Sequence, residues 1–218
     1  MTHQAKTWRF RTLGLALVAV SSSACTRTGE SISTAASSAP SERTVGSATP
    51  LPPRAGLETA ILAGGCFWGM EEILRGVAGV VETDVGYTGG TSSRPTYKDV
   101  SGGDSGHAEA VRIVFDPKRL SYETLLEQWF FRMHDPTTLN RQGNDVGTQY
   151  RSAIFVTSDA QRRAAEAVKQ RMNASGKWNG KIVTQIVDAG PFTPAEDYHQ
   201  DYLEKNPGGY TCHYLRDI

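Results

Sequence analysis

The chain has 218 residues, 39% hydrophobic and 21% charged, an ordinary globular balance with room for one domain or at most two. Its formal net charge is zero, but residues 1–54 hold six Lys or Arg against two acids (Glu30 and Glu42), which leaves 17 basic and 21 acidic residues in 55–218, a net of −4. A mildly acidic folded part argues against nucleic acid as a partner, and three cysteines (Cys25, Cys66 and Cys212) are too few for a disulfide scaffold and wrongly spaced for a zinc site.

The first elements read as an address. Residues 1–11 carry Lys6, Arg9 and Arg11 with no acid, and an apolar stretch follows over 12–20. It is too short to span a bilayer and suits the core of a signal peptide over 1–24. Small residues Ser21 to Ala24 then precede Cys25. A cysteine after small residues resembles a bacterial lipoprotein processing site, where the cysteine is lipidated and becomes the new N-terminus. Ser22 departs from the aliphatic residue favoured there, and Ser22 with Ala24 also fits ordinary signal-peptidase cleavage. The expected location is the periplasm or cell envelope, with lipid anchoring at Cys25. Residues 25–55 are Ser, Thr, Ala, Pro and Gly with scattered charges, the composition of a flexible linker.

The domain is expected over 56–218. A β-like run, Glu58 to Ala63, ends at Gly64-Gly65, and Cys66 opens a helical pattern to about Arg75, stopped by Gly76. Val80 to Tyr87 reads as a strand, 91–106 as a loop, and His107 to Phe115 alternates like a strand. Ser121 is a candidate N-cap for a helix to about Met133, and 134–150 forms a second long polar loop. Ser152 to Thr157 is a strand, and Ser158 with Gln161 makes a capping box for a helix to about Asn173. Lys181 to Val187 is a strand, and Thr193-Pro194 opens a helix that closes near Lys205, before Asn206-Pro207-Gly208. Strands and helices mix without a regular βαβ repeat. The expectation is therefore an α+β fold, a two-layer sandwich around a mixed, mostly antiparallel sheet, with functional loops and an irregular C-terminal tail.

The chemistry concentrates at Gly64-Gly65-Cys66-Phe67-Trp68-Gly69. A strand feeds a glycine turn, and the turn feeds a helix whose first turn holds Cys66. Free N–H groups and the helix dipole stabilise an anion there, so a lowered thiol pKa is expected. A small buried cysteine among core aromatics is the bland alternative. From spacing alone, Glu109, Tyr97 and Tyr150 are a solvated strand acid and two half-buried phenols.

Gly-Cys-Phe-Trp-Gly resembles the active-site signature of the peptide methionine sulfoxide reductase A family. The resemblance continues through Gly86-Tyr87-Thr88-Gly89-Gly90, Pro95-Thr96-Tyr97, Gly106 to Val111, His134 to Thr137, Asn140 to Ser152, Ala195 to Gln200 and Asn206-Pro207, in order across 56–218. It implies a Cys66 nucleophile, with Glu109 as the acid serving the sulfoxide oxygen and Tyr97 and Tyr150 as helping donors. Phe67 and Trp68 would hold the S-methyl group and Asp145 would order the site. His107, His134 and His199 are then structural. The implied reaction reduces methionine S-sulfoxide, in proteins or as the free amino acid, and repairs oxidative damage without metal or cofactor. It leaves Cys66 as a sulfenic acid, which Cys212 in the tail resolves to a disulfide. Thioredoxin, or a periplasmic equivalent, is the implied reductant. Two readings compete: a cysteine hydrolase using Cys66 with one of the three histidines, and a non-enzymatic lipoprotein with a static Cys66–Cys212 bridge.

Overall fold

The computed structural model describes residues 55–218. The expected signal peptide, Cys25 and the linker up to residue 54 lie outside the described residues.

Six strands form one sheet in the order β7-β6-β1-β3-β2-β8. They are β1 (Glu58–Gly64), β2 (Val80–Thr88), β3 (Ala108–Phe115), β6 (Ser152–Val156), β7 (Gln185–Asp188) and β8 (Thr193–Pro194). A separate hairpin pairs β4 (Arg141–Gln142) with β5 (Asp145–Val146). Every pairing in the large sheet is antiparallel except β6 with β7. The mixed, mostly antiparallel sheet agrees with the sequence expectation.

Alternation sorts the central strands. Ala60 and Leu62 of β1, Val111, Ile113 and Phe115 of β3, and Ile154 and Val156 of β6 share one buried cluster. Onto them pack helix α1 (Phe67–Arg75) through Phe67, Met70 and Leu74, and helix α4 (Asp159–Ala174) through Ala165, Val168 and Met172. The intervening residues Ile61, Ala63, Ala110, Ala153 and Phe155 form a smaller cluster with Phe192 on the opposite face. Both faces of these strands are covered, which is why β1 and β6 read as continuous apolar runs.

Local capping explains where helices start. Ser121 and Ser158 accept from Thr124 N–H and Gln161 N–H, as N-caps should. The Gln161 side chain bonds the Thr157 N–H rather than closing the box on Ser158. Helix α3 begins at Tyr122–Thr124, widens into a π-helical segment over Leu125–Phe130, and finishes as Phe131–Met133.

Four expectations need correction. The strand read over Lys181 to Val187 is confined to β7, Gln185–Asp188, because the Ile182 and Val183 N–H groups bond Asn173 Oδ1 and Pro136 O instead of a neighbouring strand. The loop over 91–106 contains a short helix, α2 (Tyr97–Ser101), because Thr96 and Asp99 cap each other's backbone N–H groups. The loop over 134–150 contains the β4–β5 hairpin, turned at Gly143 with φ +57°, and a 3-10 turn over Thr148–Tyr150. No helix runs from Thr193 to Lys205. Thr193–Pro194 pairs with the β2 edge, Ala195 N–H donates to Val85 O, and helix α5 covers only Tyr202–Lys205. Edge pairing and side-chain anchors hold that segment more firmly than its own helical bonds could. Among the described residues, no helix is long and apolar enough to cross a membrane.

Candidate active site

β1 delivers the chain to the site. Gly65 turns it with φ +113°, a conformation that favours glycine, and a Cβ there would lie 2.6 Å from Gln142 Cγ. Cys66 follows as the N-cap of α1, 6% exposed. The α1 N-terminus does offer N–H groups, but the carboxylate takes the first: Phe67 N–H donates to Glu109 Oε2 at 3.2 Å. Glu109 reaches it because β3 alternation puts it on the face of Val111, Ile113 and Phe115, beneath the helix. It is 2% exposed.

Burial pushes the Glu109 carboxyl up to about 8, against the pull of the Phe67 N–H, and the Asp145 charge adds to the rise. The acid is therefore protonated at neutral pH. The lowered thiol pKa expected at Cys66 is not found. Burial first, then the Glu109 charge, push the thiol well above its usual value, and the Trp68 N–H opposes them. The dipole of a nine-residue helix does not offset removal of the sulfur from water.

Cys66, Phe67, Trp68, Tyr97, Glu109, Asp145, Tyr150 and Tyr210 line one small cavity of about 130 Å³. Tyr97 comes from the first turn of α2, and Tyr150 from the 3-10 turn before β6. Burial raises both phenols, the nearby Glu109 charge adds to it, and both stay protonated donors. A larger groove of about 1210 Å³, between Leu57–Thr59 and the starts of α3 and α4, contains no cysteine. The small cavity is the one lined by a cysteine.

The family model for peptide methionine sulfoxide reductase matches residues 58–217. The chain belongs to this family. It is 59% identical over 157 residues to a peptide methionine sulfoxide reductase MsrA of Nocardia farcinica, covering 72% of this chain and 89% of that one. A Mesorhizobium japonicum relative, MsrA 1, is 57% identical over 73% of this chain and 90% of its own. Among solved structures, the reduced form of Mxr1 from Saccharomyces cerevisiae superposes with a TM-score of 0.71 at 42% identity, covering 76% of this chain and 95% of that one. A structure of Mxr1 in complex with Trx2 matches with a TM-score of 0.53 at 28% identity, over 80% of this chain and all of that one.

All seven site residues expected besides Cys212 line the same small cavity. Cys212 sits just behind it: its Sγ donates to Asp145 Oδ2 at 3.4 Å, and both Cys66 and Cys212 are free thiols. Burial and the Asp145 hydrogen bond push the Cys212 thiol up to about 11. The tail is irregular, as expected, but anchored on both sides of Cys212. Tyr210 Oη donates to Asp145 Oδ1, and Arg216 N–H donates to Arg132 O.

The histidines do not serve a hydrolase. His107 contacts Ser92 O and Gly90 N, and His134 is buried between Phe130 O and Ser152 Oγ. His199 instead orients a cavity wall, accepting the Trp68 indole N–H on Nδ1 at 3.0 Å. Sequence reasoning missed this support, and it missed Tyr210. Tyr202 stacks on Trp68 with ring centroids 3.8 Å apart, and Glu196 accepts from Tyr97 N–H at 2.9 Å. Glu196 and His199 lie inside the Ala195–Gln200 block that carries the family resemblance, so the signal was present without a role attached.

Proposed function

We propose that this chain reduces methionine S-sulfoxide, protein-bound or free, through a thiol cycle at Cys66. The observation that carries this reading is the buried Glu109 carboxyl, its pKa pushed up to about 8, sharing a small aromatic cavity with the Cys66 thiol. A sulfoxide is a poor electrophile until its oxygen gains a proton or strong hydrogen bonds. Glu109 supplies the proton, and Tyr97 and Tyr150 supply hydrogen bonds as charge develops on that oxygen. Phe67 and Trp68 hold the S-methyl group by apolar contact, and Asp145 orders the far side.

At rest the site is a neutral thiol facing a neutral acid. A protonated Glu109 carries no charge to oppose the thiolate, so the acid form serves both partners. The Cys66 sulfur attacks the sulfoxide sulfur while the oxygen is protonated. The oxygen leaves on Cys66 as a sulfenic acid, and methionine departs reduced by two electrons. Cys212 then condenses with the sulfenic acid, releasing water and forming the Cys66–Cys212 disulfide. A thioredoxin-like dithiol returns both cysteines to thiols, a reading supported by the complex of Mxr1 with Trx2.

The decisive experiment supplies the separate S and R sulfoxides of an N-acetyl methionine amide together with a dithiol. Turnover of the S epimer alone is expected. Turnover of neither by folded protein ends the reading.

We also propose export to the periplasm or cell envelope, with a lipid on Cys25, on the strength of the basic, apolar and small-residue sequence before it. Mass spectrometry of the mature N-terminus tests it. A diacylated Cys25 is expected, and an unprocessed Met1 or an unmodified Cys25 rules the anchor out.

A further inference from the structure

Cys212 lies between two acceptors. One is Asp145, and the other is His213, whose Nδ1 is 3.6 Å from Cys212 Sγ. Across the ring, His213 Nε2 is 2.9 Å from the Gly64 carbonyl oxygen. A carbonyl can only accept, so Nε2 carries the ring hydrogen and Nδ1 turns its lone pair toward the sulfur. The ring is 7% exposed and seated on the glycines around Cys66. A Cβ at Gly65 would lie 3.1 Å from its Cε1, and one at Gly69 would lie 2.6 Å from its Nδ1. Burial keeps His213 neutral, with its pKa down to about 4.

The resolving thiol needs such a group. Held up to about 11, Cys212 is almost wholly protonated at neutral pH, and thiolate is the form that attacks. Asp145 already accepts from Tyr210, and its hydrogen bond favours the thiol over the thiolate. A proton moved to His213 instead leaves a thiolate beside an imidazolium, and the Asp145 charge favours that cation.

We propose that His213 is a catalytic residue of the resolving step, its Nδ1 taking the Cys212 proton as that sulfur attacks the Cys66 sulfenic acid. The inference rests on the thiol cycle proposed above. The Cys212–Cys66 S–S bond forms as the Cys66 S–O bond breaks. The departing hydroxide takes the proton back from Nδ1 and leaves as water. The Cys212 sulfur is oxidised as the Cys66 sulfur is reduced, so no outside oxidant enters. His213 also ties the resolving cysteine to the strand end two residues before the nucleophile, which brings base and thiol to the sulfenic acid together.

The test mixes reduced protein with one equivalent of methionine S-sulfoxide and quenches at intervals. Methionine is read by chromatography, disulfide by mass spectrometry after alkylation, and sulfenic acid by dimedone capture. Two variants accompany the unsubstituted protein. His213→Gln keeps a donor for Gly64 O and removes the base, and His213→Gly opens a space that imidazole can enter. The expected result is one equivalent of methionine from each, with disulfide formation slowed on the order of 10²-fold in both variants, the lower range for loss of a general base. Sulfenic acid accumulates, and added imidazole restores the rate in His213→Gly alone. Disulfide formation at the unsubstituted rate in a folded variant overturns the proposal. A slowed His213→Gly that imidazole leaves unchanged also overturns it, as does loss of fold in both variants. Absence of methionine from the unsubstituted protein fails earlier, at the thiol cycle itself.

Discussion

Glu109 combines two demands that pull against each other. It is 2% exposed, yet the Phe67 N–H donates to its carboxylate oxygen. Ionisation is penalised, so the acid keeps its proton up to about pH 8. Reduction of the sulfoxide should therefore slow as pH rises through about 8, and a pH–rate profile of single-turnover methionine release reads that limb directly. Glu109→Gln should lower the single-turnover rate by about 10²–10⁴-fold and remove the limb, the usual range for a lost general acid. The same burial predicts a stability effect. The folded protein holds a proton that the unfolded chain releases near 4.5, so stability falls as pH rises from about 4.5 to about 8. The slope is about 1.4 kcal/mol per pH unit for one such group. Glu71, buried and raised to about 7, acts in the same direction and leaves part of the slope in place. Thermal melts of Glu109→Gln between pH 5 and 8 should show a shallower fall than the unsubstituted protein. Gln retains an acceptor for the Phe67 N–H, so a parallel curve would remove Glu109 from that dependence.

At the scale of elements, α1 is where the site is assembled. Its first N–H binds the acid, its N-cap is Cys66, and its first turn supplies both aromatic walls. Its buried glycine, Gly69, receives the tail. Helix propensity alone predicts that Gly69→Ala stabilises α1 by about 1 kcal/mol. The packing predicts the opposite, because the added Cβ would lie 2.2 Å from Thr211 Oγ1 and 2.6 Å from His213 Nδ1. Gly69→Ala should lower Tm and slow Cys66–Cys212 disulfide formation together, since the tail must lift to make room. A raised Tm with normal disulfide formation would show that the tail is not seated on this helix. The segment from β8 to α5 is a second assembly device. Gln200 bonds the Val85 backbone, the Asp201 N–H donates to Glu71, and His199 and Tyr202 on either side of them fix the Trp68 ring.

For the whole molecule, the sheet centre, the cavity and the tail all lie within 56–218. The chain begun at Gly56 should keep its sulfoxide turnover within about twofold, because the cavity residues and Cys212 all lie within 56–218. Steady-state assays of the two forms with one soluble substrate check this. The cycle itself links the two ends of the domain, with Cys66 after the first strand and Cys212 in the last seven residues. Cys212→Ser should therefore release one equivalent of methionine quickly and then stall with a protein dithiol donor. Continued turnover at the unsubstituted rate would take Cys212 out of the cycle.

Sequence and structure divided the work along physical lines. Periodicity and caps determined most elements, since β1, α1, β2, β3, α4 and the N-caps Ser121 and Ser158 rest on local alternation and local hydrogen bonds. Motif resemblance named every cavity residue except Tyr210. The helix α2 and the β4–β5 hairpin were legible in principle, through Thr96 with Asp99 and through Gly143-Asn144, because their signals are short-range too. The missing helix over Thr193–Lys205 was not legible, because distant anchors on β2 and α1 override its local pattern. The same holds for the thiol. A glycine turn and a helix start argue for an acidic cysteine, but proton affinity depends on what surrounds the sulfur in space. Only the folded chain brings Glu109 from β3 and the aromatic walls around Cys66, and burial there outweighs the helix end.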